Sequence, residues 1–354
     1  MAKKLMKGNN AIAEAAIQAG CHSFFGYPIT PQNELIEHMA KRLPQIEGAS
    51  FVQSESEVAA INMVFGAAGA GTRVMTSSSG PGLSLKQEGI SFLAGAQLPA
   101  VIVNVMRGGP GLGGIQPAQS DYFQATRGGG HGDYNTIVYA PASVQEAVDL
   151  TQLAFDKADE YLNPVIVLAD GVIGQMMEPA EIKENDNSKN YPKPWAIRGG
   201  RREDGSYSIV RSLYLDPKQL NLLNKRLQEK YQTIRDNEVR YETEQTGDAD
   251  IVIVAYGTTA RIARSAISDA RSKGYKVGLF RPITLWPYPY NELKEATKNA
   301  KAVIVAEMSE GQMIDDVKIA LEGSKPISFV GESGGIMPTT TQIFAEIEKV
   351  SEVK

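Results

Sequence analysis

Four short segments of this chain carry side chains that could bind a carboxylate and pass a proton to a ligand. The first, Gly26-Tyr27-Pro28-Ile29-Thr30-Pro31, follows an aromatic, strand-like run and precedes an amphipathic stretch. Each proline fixes its own φ and pushes the residue before it toward extended geometry. Thr30 is therefore expected at a helix N-cap with Pro31 as the first helical residue, beside free N–H groups that attract a carboxylate or phosphate. The same threonine could equally cap only its own helix. The second segment, Ser54-Glu55-Ser56-Glu57, opens a stretch of apolar and small residues. Ser54 and Glu57 have capping-box spacing. A glutamate at the start of a mostly apolar helix could also be desolvated enough to share a proton with a ligand nitrogen, and the two roles are compatible.

The third segment, Met75-Thr76-Ser77-Ser78-Ser79-Gly80-Pro81-Gly82, puts a hydroxyl-rich turn directly after a strand. Ligands of open α/β sheets bind at the carboxyl ends of strands, although Ser and Gly also make ordinary turns. In the fourth, Arg107 ends a strand and leads into Gly108-Gly109-Pro110-Gly111-Leu112-Gly113-Gly114. A guanidinium there could grip a carboxylate through two parallel hydrogen bonds, or form a structural ion pair. Gly109, Gly111 and Gly114 match dinucleotide spacing, with Asp133 downstream. Pro110, Gly113-Gly114 and Pro117 oppose the helix that this fingerprint requires, so the nicotinamide reading is set aside. His131-Gly132-Asp133 reads as a structural loop cluster.

These segments need elements to hold them. Short β-branched runs at Phe51-Val52, Val74–Thr76, Val101–Val105, Ile137–Tyr139 and Val165–Leu168 alternate with helical stretches at Asn9–Ala19, Gln32–Leu43, Glu55–Gly69, Leu83–Ala96 and Val144–Ala158. That is a βαβ rhythm with strands apolar on both faces, as in parallel sheets covered by helices. The rhythm stops near Glu178. Lys183–Tyr191 is polar, Arg198–Gly205 is rich in Gly, Arg and acidic residues, and Pro217–Glu238 carries Leu220, Leu223, Leu227, Tyr231 and Ile234 at helical steps. This helix either packs across a domain or docks on a partner. A second alternation begins at Asp250–Gly257. The expectation is an α/β protein with two doubly wound parallel-sheet domains, at 1–182 and 249–354, joined by a linker with an amphipathic helix at 183–248.

Length and composition are those of an ordinary globular protein: 354 residues, 42% hydrophobic, 22% charged, net charge −5. Nothing points to nucleic acid or an acidic membrane surface. No apolar run is long enough to span a bilayer and Met1-Ala2-Lys3-Lys4 is unlike a secretory leader, so a cytoplasmic location is expected. With one cysteine, Cys21, and three separated histidines, no iron–sulfur or zinc cage can be built from this chain alone.

Gly26–Pro31, the Ser54–Glu57 helix start, Thr76–Gly82 and Arg107–Pro110, in this order and spacing, resemble the alpha subunit of 2-oxoacid:ferredoxin oxidoreductases. Ala255-Tyr256-Gly257, Phe280–Pro287 and Glu307–Gln312 extend the resemblance over nearly the whole chain. Arg107–Pro117 is similar to the branched-chain, 2-oxoisovalerate type, whereas the 2-oxoglutarate type has Ser-Thr-Gly after Arg-Gly-Gly-Pro. The resemblance implies a pyrimidine-type thiamine diphosphate domain followed by a smaller transketolase-C-terminal-like domain. It implies coenzyme A-dependent oxidative decarboxylation of a 2-oxoacid with ferredoxin as acceptor. Glu57 would bind N1′ of the aminopyrimidine, with Ile29, Ser79 and Gly80 also at the cofactor, and Thr30 and Arg107 would hold the substrate carboxylate. The Gly-Asp-Gly and downstream Asn that hold magnesium and diphosphate are lacking, Ala169-Asp170-Gly171 being a partial echo. The diphosphate half and its magnesium are then expected from a beta subunit, and iron–sulfur clusters from gamma and ferredoxin-like delta subunits, so the isolated chain should be inactive. Two other readings compete: the same reaction on 2-oxoglutarate or another 2-oxoacid, and a non-catalytic scaffold subunit.

Overall fold

The β-branched runs form the strands they predict, because successive side chains of an unbroken apolar run point alternately to the two faces of a sheet and can be buried on both. In the computed structural model of the protein, which describes residues 3–183, 191–202 and 204–352, a seven-stranded sheet is the larger layer. From one edge it runs Ser50–Gln53, Ser23–Gly26, Val74–Ser78, Ala100–Met106, Pro164–Asp170, Ile137–Tyr139 and Thr284–Trp286. The first six are parallel, and the last is antiparallel to Ile137–Tyr139 although it lies some 145 residues further along the chain. Ala100–Met106 and Pro164–Asp170 are buried at every residue, as befits the centre of the sheet.

A five-stranded sheet follows, ordered Ile327–Gly331, Ala302–Glu307, Ile251–Val254, Val277–Pro282 and Tyr241–Glu244. Its first four strands are parallel and Tyr241–Glu244 closes one edge antiparallel. The protein is thus a mixed, mainly parallel α/β structure of two sheets. Lys4–Lys7 and Met177–Ala180 add a small antiparallel pair. The expected linker stretch includes residues 184–190 and 203, which lie outside the described residues, as does Met1-Ala2. Within it, helix Pro217–Asn237 packs across the molecule: Leu223, Leu227, Tyr231 and Ile234 are buried, and Tyr231 meets Trp286 edge-on. Leu220, expected on the same face, is exposed at the first turn. Among the described residues no helix is long and apolar enough to cross a membrane.

Polar groups buried along one seam join the two sheets. Asp170 ends its strand and accepts from the N–H groups of Val172 and Ile173 at 3.1 Å, capping helix Gly171–Gln175. It also accepts from Thr258 N–H at 2.8 Å and Thr258 Oγ1 at 2.7 Å, across the seam. Gln119 donates through Nε2 to the Tyr256 carbonyl and accepts from Thr259 Oγ1 and Met308 N–H. Asp316 accepts from Tyr122, Arg127 and Tyr290. Arg281, almost fully buried, donates to both Glu146 and Glu242. Glu307 accepts from the N–H groups of Gln312, Met313 and Ile314 and so fixes the start of helix Met313–Leu321.

On the opposite flank, Glu14 accepts from His38 Nε2 at 2.8 Å and Arg42 Nε at 3.1 Å, tying helix Gly8–Gln18 to helix Asn33–Arg42. The His38 hydrogen bond, with help from Arg42 and Gln18, holds the Glu14 carboxyl well below the usual carboxylate range. A carboxylate favoured in the folded state contributes stability that is complete above the unfolded pKa and fades as pH falls below it. Glu14→Gln should therefore cost about 1–3 kcal/mol at pH 7, the worth of hydrogen bonds to a charged group. It should also reduce the loss of thermal stability between about pH 5 and pH 3. Thermal denaturation of both proteins across that range checks the expectation, and parallel curves would contradict it.

Candidate active site

The strand order opens a crevice. The chain goes from Ser23–Gly26 outward to the edge strand Ser50–Gln53, then returns to the other side of Ser23–Gly26 as Val74–Ser78. Connections leaving the carboxyl ends of those neighbours diverge, which is where open α/β sheets bind ligands. Three of the four segments singled out in the sequence lie at those carboxyl ends, and the fourth, at Arg107, lies at the carboxyl end of the next strand, Ala100–Met106.

Arg107 follows strand Ala100–Met106 and is 7% exposed. Its Nη1 donates to the Thr30 carbonyl and its Nη2 to the Leu112 carbonyl, both at 2.9 Å, while Nε is buried without a partner. It makes no ion pair among the described residues, so the structural ion-pair alternative does not hold. Gly80, at φ +45°, comes close beneath it; a Cβ there would stand 3.3 Å from Arg107 Cγ and 3.4 Å from Nε. Asp121 accepts from Asn104 Nδ2 at 2.9 Å and from the Gly80 N–H. Burial pushes the Asp121 carboxyl up, and these hydrogen bonds together with the Arg107 charge oppose the rise.

Thr30 is not an N-cap. The helix begins at Asn33 and its N-cap is Gln32, because the Gln32 N–H is already bonded to the Ile29 carbonyl in a turn that the chain completes first. The Gln32 side chain is also engaged, accepting from Ser77 Oγ at 2.6 Å. Thr30 Oγ1 accepts from Asn33 Nδ2 at 3.3 Å, and Pro31 precedes the helix. What ties Thr30 to Arg107 is its carbonyl, and Ile29 enters the site only as part of the same turn. A cleft of about 620 Å³ opens beside this turn, lined by Thr30, Pro31, Gln116, Pro117, Gly171 and Gln175 among others.

The capping box at Ser54 is also corrected. The N-cap is Ser56, whose extended backbone lets Oγ accept from Ala59 N–H at 3.2 Å. Ser54 Oγ instead lies 3.1 Å from the Gly26 carbonyl, stitching the two crevice strands together. Glu57 is thereby the first residue of helix Glu57–Gly69, and its buried carboxylate faces the serine-rich turn. A Cβ on Gly82 would lie 2.5 Å from Glu57 Oε1, so only glycine lets the carboxylate sit there. Ser78 Oγ and Ser79 Oγ are both buried without partners. Around this group the apolar residues Val52, Val58, Met63 and Leu85 face outward.

Sequence reasoning missed two participants. Asp121 lies in a loop whose chemistry is invisible without the fold. Lys86 is fully buried, and its Nζ donates to Thr76 Oγ1 at 2.5 Å and to the Ser77 carbonyl at 3.3 Å. Burial pushes its amino group down to about 7, against the opposing pull of the Glu57 charge. The helix expected over Leu83–Ala96 is two pieces, Pro81–Ser84 and Gln87–Gly95, and Lys86 sits in the break. The available signal was that Lys86 is the only basic residue in that stretch. Ala169-Asp170-Gly171 is not a metal motif in use, since Asp170 is committed to the seam. The loop from Gly108 to Gly114 leads into no helix before Tyr122–Thr126, and His131 and Asp133 are exposed.

A family model described as pyruvate flavodoxin/ferredoxin oxidoreductase, thiamine diphosphate-binding, matches residues 14–248, and one for pyruvate:ferredoxin oxidoreductase core domain II matches residues 249–343. The chain is 52% identical to ketoisovalerate oxidoreductase subunit VorB of Methanothermobacter marburgensis, over 99% of each chain. It is 37% identical to 2-oxoglutarate synthase subunit KorA of the same organism, over 97% of each. Among solved structures it matches a 2-oxoglutarate:ferredoxin oxidoreductase from Magnetococcus marinus, with 2-oxoglutarate, coenzyme A and succinyl-CoA bound, at a TM-score of 0.86 and 30% identity. That match covers 98% of this chain, which spans 65% of the other chain's length. A split-gene transketolase, at a TM-score of 0.58 and 14% identity, shares the fold. The chain belongs to the 2-oxoacid:ferredoxin oxidoreductase family.

Proposed function

We propose that this chain carries the aminopyrimidine half of a thiamine diphosphate site in a complex that oxidatively decarboxylates a branched-chain 2-oxoacid, 2-oxoisovalerate, to its acyl-CoA with ferredoxin as electron acceptor. The observation that carries the reading is the Glu57 carboxylate, buried at a helix start and facing a turn that only Gly82 leaves open. The ketoisovalerate names of the relatives near 50% identity support the choice of substrate.

The residues present fit the cofactor. Ser78 and Ser79 offer buried hydroxyls with no protein partner, and Gly80 and Gly82 leave the space that side chains would fill. When bound, thiamine diphosphate supplies the electron sink for decarboxylation. Glu57 holds a proton at N1′ of the aminopyrimidine, in a site whose burial strengthens that hydrogen bond. Arg107, kept in place by the Thr30 and Leu112 carbonyls and free of any carboxylate partner among the described residues, receives the substrate carboxylate. Thr30 acts as the prop of that guanidinium and borders the neighbouring cleft.

No second half of the site is evident among the described residues. In this reading a beta subunit covers the apolar surface around Glu57 and brings magnesium and the diphosphate half, and gamma and delta subunits bring the iron–sulfur clusters. Cys21 cannot ligate one: it is buried, it hydrogen-bonds the Ser23 carbonyl, and burial pushes its thiol up to about 12. The complex belongs in the cytoplasm on this reading.

Co-purification with partner subunits and a coenzyme A-dependent dye-reduction assay over a panel of 2-oxoacids should show highest kcat/KM with 2-oxoisovalerate; a preference for 2-oxoglutarate or pyruvate would reassign the substrate. In that complex, Glu57→Gln should lower kcat by about 10²–10⁴-fold, the usual worth of a positioned proton-transfer group. Unchanged turnover and cofactor affinity would remove Glu57 from the chemistry. Arg107→Ala should raise KM for the oxoacid by about 10- to 100-fold, corresponding to ~1.5–3 kcal/mol for a charge-assisted contact. Arg107→Lys should recover only part of it, because an ammonium cannot reproduce the planar fork.

A further inference from the structure

We infer that Lys86 is a positioning residue of this half-site, fixing the serine-rich turn by its hydrogen bonds and, through that turn, the place where the Glu57 carboxylate sits. The inference rests on the thiamine reading of Glu57 and adds to it a residue that never touches the ligand.

A lysine with no exposed surface is unusual, because an ammonium leaves water at a large cost unless an opposite charge or a full set of acceptors receives it. The Lys86 amino group has two neutral acceptors, Thr76 Oγ1 and the Ser77 carbonyl. The charge that acts on it is that of Glu57. A methionine of similar length would fill the same space without the desolvation cost. Folding alone gives no reason for a cation at this point.

Its location links both walls of the crevice. Thr76 and Ser77 belong to strand Val74–Ser78, which delivers Ser78, Ser79 and Gly80 to the site. Thr76 Oγ1 in turn donates to the Phe25 carbonyl at 2.6 Å, on the strand that leads to Thr30. Ser77 Oγ reaches Gln32 at the start of the next helix. Lys86 lies in the break between helices Pro81–Ser84 and Gln87–Gly95, four residues along the chain from Gly82, the residue that Glu57 faces. From there its amino group can act on a bound aminopyrimidine only by way of the glutamate and the turn.

The test uses the assembled complex with Lys86→Met, Glu57→Gln and the double variant. Lys86→Met should lower kcat about tenfold and weaken thiamine diphosphate binding to the cofactor-depleted complex, read by calorimetry, by a similar factor. KM for the oxoacid should stay within about twofold, since Arg107 is untouched. Lys86→Arg should recover most of both losses. In the Glu57→Gln background, Lys86→Met should add less than about twofold, because residues acting through one another are not additive. Should Lys86→Met fail to assemble, Lys86→Gln carries the same comparison. Unchanged kcat and cofactor affinity, a full multiplicative loss in the double variant, or a loss that arginine does not restore would each overturn the inference. If Glu57→Gln itself leaves turnover intact, the thiamine reading fails; if it abolishes turnover while Lys86→Met does nothing, only the role of Lys86 fails.

Discussion

The buried carboxylate of Asp170 is the interaction on which the arrangement of the two sheets depends. It ends a central strand, caps the short helix that follows and accepts two hydrogen bonds from Thr258, the second residue of a helix belonging to the other sheet. Burial pushes this carboxyl up, and the four hydrogen bonds oppose that tendency. The arrangement demands Gly257 at φ +55°, since a Cβ there would lie 2.7 Å from Asp170 Oδ2 and 2.9 Å from Gln119 Nε2. One glycine thus sets how closely the sheets approach. Arg281, held between Glu146 and Glu242, does the same at the far end of the seam.

The candidate site uses the same physical device with the opposite outcome. At the seam, each close approach ends in a satisfied hydrogen bond. At the crevice, Gly80 and Gly82 permit equally close approaches, yet Ser78 Oγ, Ser79 Oγ and Arg107 Nε remain buried without partners. Unsatisfied polar atoms in a folded interior are costly, and in the proposed reading a bound ligand supplies the partners that these three lack. Val58 and Met63, on the helix that Glu57 opens, are exposed, and in the proposed reading a partner subunit covers them.

Much of this was legible in the sequence, and the failures have physical causes. The strands were readable because their β-branched runs are short and bounded by turn residues, and the helices at Asn9 and Val144 because their apolar spacing is regular. Both N-caps were misassigned by two residues. Ser54 and Ser56 offer the same hydroxyl, and only the path of the strand decides that Ser54 bonds Gly26 while Ser56 caps the helix. At Thr30, the local preference for proline at a first helical position was overridden by a turn that engages Gln32 first. The single helix expected over Leu83–Ala96 hid a break, since nothing in its apolar pattern announces that Lys86 must turn inward. Asp170 reads in the sequence only as a partial echo of a metal motif; its partner across the seam, Thr258, is 88 residues away and invisible to any local pattern.

The short strand Thr284–Trp286 deserves a last consequence. It leaves the smaller sheet, crosses to pair with Ile137–Tyr139, and presents Trp286 to Tyr231 of the intervening helix. The larger sheet is thus finished by a part of the chain made after most of the smaller sheet's first half. During synthesis, the edge at Ile137–Tyr139 stays bare until that segment leaves the ribosome. A gene broken between the two sheets would separate Thr284–Trp286 from the strand it pairs with, so the larger sheet would regain its last strand only by association of the two products.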